Sequence, residues 1–195
     1  MERRLAAILA ADVVGYSKLM AEDEAGTLAA VSGIITKLVE PLVVKNNGRI
    51  VKLMGDGILA EFGSALDAVG CAILWQEKID EIGRNIQFRI GINLGDIIIQ
   101  DGDIFGNGVN VAARLEAIAD PRCICVSDDI YRQVKGKVES KFHDMGLQQL
   151  KNVEDLVRVY QINAHANEQE VQKVDGDVFA VPDKPSIAVL PFDNM

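Results

Sequence analysis

The chain has 195 residues, a formal net charge of -9 and a hydrophobic fraction of 49%, which is enough for one packed domain and a tail. An acidic balance of this size opposes nucleic acid and anionic membrane surfaces, so an anionic ligand needs a local cluster of positive groups. A small phosphorylated ligand in a pocket fits better than DNA. Three cysteines (Cys71, Cys123, Cys125) and two histidines (His143, His165) make no credible zinc set; the thiols read as small core residues in a reducing cytoplasm.

Leu5 to Tyr16, LAAILAADVVGY, is an apolar run that ends in Asp12 and passes through Gly15, Tyr16 and Ser17. With Arg3 and Arg4 before it the run mimics a signal peptide, but Asp12 breaks it and a buried strand is expected. Glu22 to Asn46 carries Leu28, Val31, Ile34, Ile35, Leu38 and Leu42 at helical spacing behind the acids Glu22, Asp23 and Glu24, which predicts a long amphipathic helix, bent at Pro41. No later stretch is expected to approach the roughly 18 apolar residues that cross a bilayer. Arg49 to Phe62, RIVKLMGDGILAEF, reads as a hairpin turned at Gly55-Asp56-Gly57.

Ala65 to Ile82 predicts a second helix, Gln87 to Gln100 a strand broken at Gly95, Asp101-Gly102-Asp103 a turn, and Val109 to Ala119 a helix entered through Gly106 and Gly108. Short elements follow: a strand at Cys123 to Val126, a helix at Asp128 to Val134, and strands at Lys137 to Phe142 and Leu156 to Ile162. The order strand, helix, strand, strand, helix, strand, with additions, suggests an α+β fold of the split βαβ, ferredoxin-like kind, a mostly antiparallel sheet with helices on one face. Residues 1–162 read as one domain and the polar, charge-mixed 163–184 as a linker. PSIAVLPFDNM, residues 185–195, reads as the first strand of a domain cut short, so the natural protein is expected to be longer.

A strand end at Asp12 and a hairpin tip at Asp56, side by side, would hold two carboxylates at one sheet edge, an outline suited to paired divalent metals and phosphate. The Val13 carbonyl could complete the metal shell, and the backbone N–H groups from Val14 through Gly15, Tyr16 and Ser17 to Lys18 could hold a terminal phosphate. Taken singly, Asp12 is also a strand-end charge and Asp56 a turn residue. Asn110 and Arg114, four apart, share a helix face and offer a directional amide and a planar fork for phosphate oxygens; alone they are a cap and a solvated arginine. Lys151, in QQLKNVEDLVRVYQI, is one more cation beside a predicted strand.

ADVVGYS, IVKLMGDG, GDIFGNGVNVAARLE and LKNVEDLVRVYQI resemble, in order and spacing, the motifs of class III nucleotidyl cyclase catalytic domains, over about Arg4 to Ile162. The resemblance implies the cyclase fold, two domains paired head to tail in a homodimer, and two Mg2+ or Mn2+ ions per site. It implies Asp12 and Asp56 as metal ligands, and Lys52 with Asp103 as the purine-reading pair in the combination associated with adenine. It further implies Asn110 as the group orienting the ribose, Arg114 as the transition-state arginine and Lys151 as a triphosphate contact. ATP is then the expected substrate and cyclic AMP with pyrophosphate the products, in a cytoplasmic bacterial protein. A catalytically silent nucleotide-binding module of the same fold is the alternative. The Gly-Gly-Asp/Glu-Glu-Phe turn of diguanylate cyclases is absent; MGDGI stands in its place.

Overall fold

A computed structural model describes residues 2–82 and 86–163. The expected linker begins at Asn163, which closes the last strand; its remainder and the expected strand at 185–195 lie outside the described residues.

Strand β1 (Glu2–Val13) is the spine of the sheet. Its residues Ala6 to Ala11 are all buried, because it pairs antiparallel with β3 (Gly57–Phe62) on one side and β4 (Phe88–Gln100) on the other and is covered on both faces. That is why it reads as a continuous apolar run rather than an alternating one. The remaining strands are β2 (Gly48–Met54), β5 (Asp103–Phe105), β6 (Cys123–Ser127), β7 (Phe142–Gln148) and β8 (Val157–Asn163). The sheet order is β2-β3-β1-β4-β6-β8-β7, with β5 on β4. Among the described strands only β4 and β6 run parallel, and the β2-β3-β1-β4 portion is the expected split βαβ arrangement.

The helices are α1 (Tyr16–Glu22), α2 (Glu24–Ile34) running through a π-helical turn (Ile35–Val39) into α3 (Glu40–Lys45), α4 (Ala65–Glu81), α5 (Asn107–Ile118) and α6 (Asp128–Val134). Asp23 caps α2 by accepting from the Gly26 amide at 2.9 Å. The π turn, closed by Glu40 N–H on the Ile35 carbonyl, directly precedes Pro41, whose ring would clash with a regular preceding turn. The run Glu24–Lys45 is long and apolar enough to cross a bilayer by length and composition, which corrects the expectation that no such stretch exists. Its apolar face is taken up by the sheet: Ala30, Val31, Ile34, Ile35, Val39, Leu42 and Val43 are buried in the main core.

Helices do not keep to one face. The face carrying Ala7, Leu9 and Ala11 packs under α2, α3, α4 and α6 around Trp75 and Phe88, whose rings meet edge-on at 5.1 Å. The alternate face, Ala6, Ile8 and Ala10, packs under α5. The small residues of β1 made both faces equally plausible, and this corrects the one-faced arrangement. The strand expected at 137–142 begins instead at Phe142, because a register shift between Asp144 and Gly146 breaks its alternation. Cys71, Cys123 and Cys125 are buried thiols; burial pushes those of Cys71 and Cys125 up to about 12, as befits core residues.

Candidate active site

Gly95 does not break β4. The glycines at 91 and 95 let α5 lie against the strand: a Cβ on Gly91 would fall 2.1 Å from the Glu116 amide nitrogen and 2.3 Å from the Ala112 carbonyl, and one on Gly95 3.0 Å from the Gly108 Cα. This close approach sets the height of α5, the helix that carries Asn110, Arg114 and Glu116, above the sheet.

Asp12 lies on the α5 face at the end of β1. Ala11 pairs with Ile58, the second residue of β3, so the two-residue turn of the β2–β3 hairpin, with Gly55 at φ 66, arrives beside Asp12 and Val13. The Asp56 pKa is raised, first by partial burial and then by the negative charge of Asp12, although the nearby backbone of Asp56 and Val13 acts to lower it. The two carboxylates expected as a pair are therefore close enough to repel.

Two charged residues that the sequence reading had not singled out complete this corner. Arg89, opposite Asp12 on β4, forks it, Nη2 donating to Oδ2 at 2.8 Å and to Oδ1 at 3.0 Å. Glu116 brings Oε1 to 3.3 Å from the same Nη2. Burial, then the charge of Asp12, raises the Glu116 carboxyl to about 7, while the hydrogen bond that Arg89 donates to Asp12 chiefly raises the Arg89 pKa. The available signal was an arginine inside the apolar run QFRIGIN, on the same strand face as Gly91 and Asn93.

The donor set suits a hard divalent cation. Carboxylate oxygens that repel one another, with lone pairs left beyond those Arg89 engages, are what magnesium or manganese binds. Among the described residues no group of three or more His, Cys, Asp or Glu side chains is placed to hold a metal, so backbone, water and ligand oxygens would fill the shell. Gly15 (φ 67) opens α1. The Val14 amide donates to the Gln87 carbonyl at 2.8 Å and that of Lys18 to the Gly15 carbonyl at 2.9 Å. That removes Val14 and Lys18 from the expected phosphate-holding amides and leaves Gly15, Tyr16 and Ser17.

Lys52 and Asp103, 51 residues apart, form an ion pair, Nζ donating to Oδ2 at 2.7 Å. Hydrogen bonds from Lys52 and from the Ile104 amide lower the Asp103 pKa. Asn110 is exposed on α5, and Arg114, a turn further on, donates from Nε to the Lys151 carbonyl at 3.1 Å. The structure thus groups Asp12 with Asp56, Lys52 with Asp103, and Arg114 with Lys151. Arg114 and Glu116 are two residues apart on one helix and so point about 200° apart; Glu116 faces the Asp12 corner, and Arg114 faces away from it.

Residues 3–164 match the model of the adenylate and guanylate cyclase catalytic domain. The whole chain is 45% identical over 202 residues to a Rhizobium meliloti (strain 1021) protein provisionally named adenylate cyclase 3, of which it spans 34%. Over 65% of its length it is 36% identical to an adenylate cyclase of Streptomyces coelicolor, spanning 33% of that protein. The chain therefore spans about a third of the length of these curated relatives. A solved adenylate/guanylate cyclase/hydrolase from Silicibacter pomeroyi is 46% identical, with TM-score 0.76 over 83% of this chain and 98% of that one. The adenylyl cyclase CyaB of P. aeruginosa, 23% identical with TM-score 0.73 over 83% of this chain and 96% of its own, shares the fold. The chain belongs to the family of adenylate and guanylate cyclase catalytic domains.

Proposed function

We propose that this domain is an adenylate cyclase, converting ATP to 3′,5′-cyclic AMP and pyrophosphate in the cytoplasm, at sites shared by two copies paired head to tail. The Lys52–Asp103 pair at 2.7 Å carries the choice of substrate. Lysine donates to adenine N1 and aspartate accepts from the exocyclic amine. Guanine presents a donor at N1 and an acceptor at O6, leaving like groups facing one another.

The divergence of Arg114 from the Asp12 corner supports sharing. A nucleotide that must touch both the carboxylates and the arginine is better served by the carboxylates of one copy and the α5 face of another, and two-fold symmetry then makes two equal sites. Bound at Asp12, Asp56 and the Val13 carbonyl, two Mg2+ or Mn2+ ions would lower the pKa of the ribose 3′ hydroxyl and neutralise the triphosphate. Asn110 orients the ribose so that the 3′ oxygen faces the α-phosphorus. A bond forms between these atoms as the bond to the bridging oxygen of pyrophosphate breaks. Arg114 and Lys151 hold the charge building on the non-bridging and leaving oxygens, while the amides of Gly15, Tyr16 and Ser17 hold the terminal phosphate.

The test is Asp12→Asn and Asp56→Asn, with cyclic AMP formation and metal-dependent ATP binding measured in parallel. Each variant is expected to lose turnover by more than a hundredfold. Near-normal turnover in either refutes the metal assignment, and a wild-type protein that binds ATP with metal but forms no cyclic nucleotide favours a silent sensor.

A further inference from the structure

The face that carries Lys52 and Asp103 also holds a buried carboxylate that pairs with two arginines, one of which reaches the turn before Asp103. Arg49 stands opposite Glu61 on β3, and Lys52 opposite Leu59, with a register slip between Ile50 and Lys52. On a regular strand, residues three apart point to opposite faces. The extra residue at Val51 returns both Arg49 and Lys52 to the α5 face, where Leu59 belongs to the cluster under α5.

Glu61 is 3% exposed. Its Oε1 accepts from Arg4 Nη2 at 2.7 Å and from Arg49 Nε at 2.5 Å, while Oε2 is buried without a partner. Arg49 Nη1 then donates to the Gly102 carbonyl at 3.1 Å. Gly102 (φ 82) follows Asp101 (φ 52) in the exposed β4–β5 turn, and the next residue is Asp103. Asp103 is held at both oxygens, Oδ1 by the Ile104 amide at 2.9 Å and Oδ2 by Lys52.

We propose that Glu61 and Arg49, braced by Arg4, are positioning residues for purine recognition: they clamp the β4–β5 turn to β2 so that Asp103 meets Lys52 at the spacing the base requires. This rests on the cyclase reading above and extends it to residues that touch no nucleotide. β5 has only three residues and its ladder is with β4 alone, so no strand pairing ties its turn to β2. The Arg49 guanidinium supplies the tie because its planar fork serves Glu61 and Gly102 in one orientation. A buried carboxylate is costly to keep and destabilising to strip of one partner, so it sets that orientation firmly. Lysine at position 49 preserves the charge but has no fork to bridge the two acceptors.

The experiment compares wild type, Arg49→Ala, Arg49→Lys, Glu61→Gln and the double variant Arg49→Ala with Glu61→Gln, each with ATP and GTP, reading KM and kcat separately beside a thermal melt. Arg49→Ala and Arg49→Lys are both expected to raise KM for ATP about tenfold and to cut the ATP-over-GTP preference by a similar factor, with kcat at saturation within about threefold. Glu61→Gln should do the same in the wild-type background and add nothing to Arg49→Ala. Arg49 is 45% exposed at its side chain, and Arg4 still pairs with Glu61 in its variants, so Arg49→Lys, which also keeps the charge, carries the test even where Arg49→Ala or Glu61→Gln melts early. An unchanged KM and preference in Arg49→Ala overturns the proposal. Full rescue by Arg49→Lys, or an equal loss of kcat with both nucleotides, overturns it as well, pointing to plain charge or to general structure. A wild-type protein that cyclises neither nucleotide contradicts the cyclase reading instead, a separate result.

Discussion

Replacing Gly91 by alanine tests the link between packing and site geometry. The new Cβ would lie 2.1 Å from the Glu116 nitrogen and 2.3 Å from the Ala112 carbonyl, whereas ordinary contact begins at 3.4 Å, so α5 must rise by about 1 Å. Both clashing atoms are helix backbone and cannot rotate aside. Overpacking of this kind costs about 1–3 kcal/mol, or a fall of several degrees in melting temperature for a domain of this size, at about 2–4 °C per kcal/mol. Because α5 carries Asn110, Arg114 and Glu116, a displacement of about 1 Å is expected to cost about a hundredfold in turnover. The matched control is Gly70→Ala in α4, where a Cβ meets nothing within 4 Å and alanine should stabilise by about 0.5–1 kcal/mol through helix propensity. Melting curves and initial rates on the two variants decide it. A Gly91→Ala protein with wild-type melting temperature and rate would refute the account of how α5 is seated.

Mixing inactive Asp56→Ala with inactive Arg114→Ala chains is expected to restore turnover to about a quarter of wild type after subunit exchange, since half the dimers are mixed and each regains one site; no recovery despite proven exchange contradicts shared sites. Lys52→Glu combined with Asp103→Cys is expected to lower cyclic AMP formation by at least tenfold and raise cyclic GMP formation relative to it, read by parallel assays with the two nucleotides. Glu116, raised to about 7 from 4.5, binds more protons folded than unfolded, so it erodes the stability of the metal-free chain as pH rises from about 4.5 to about 7 and no further above that. Denaturant titrations should show this slope flatten in Glu116→Gln, and an identical pH profile would contradict the placement of Glu116 against Asp12.

Much of this architecture was legible because it rests on local chemistry. The Gly55-Asp56 turn announced its hairpin, and the strand–helix alternation gave the split βαβ order. What sequence hid was parity and long-range pairing. In LAAILAAD small residues point both ways, so nothing in β1 revealed that α5 takes the second face. Arg89 meets Asp12 across 77 residues, and Glu116 looks like any solvated helix acid until the fold brings it there. α1 has seven residues and no buried side chain, leaving no periodic signal. The candidate residues themselves were found through four motifs in register, since none of them was distinctive alone. Arg49 and Glu61 were visible in RIVKLMGDGILAEF, but the bulge that puts Arg49 on the face of Lys52 is a property of pairing rather than composition.

The most direct measurement is cyclic nucleotide formation by the purified chain, given ATP or GTP with manganese, over a wide range of protein concentration. The account predicts cyclic AMP in clear excess over cyclic GMP, with specific activity rising with concentration as paired copies assemble. Cyclic GMP as the main product, or a specific activity that stays constant in a chain shown to be monomeric, would contradict it.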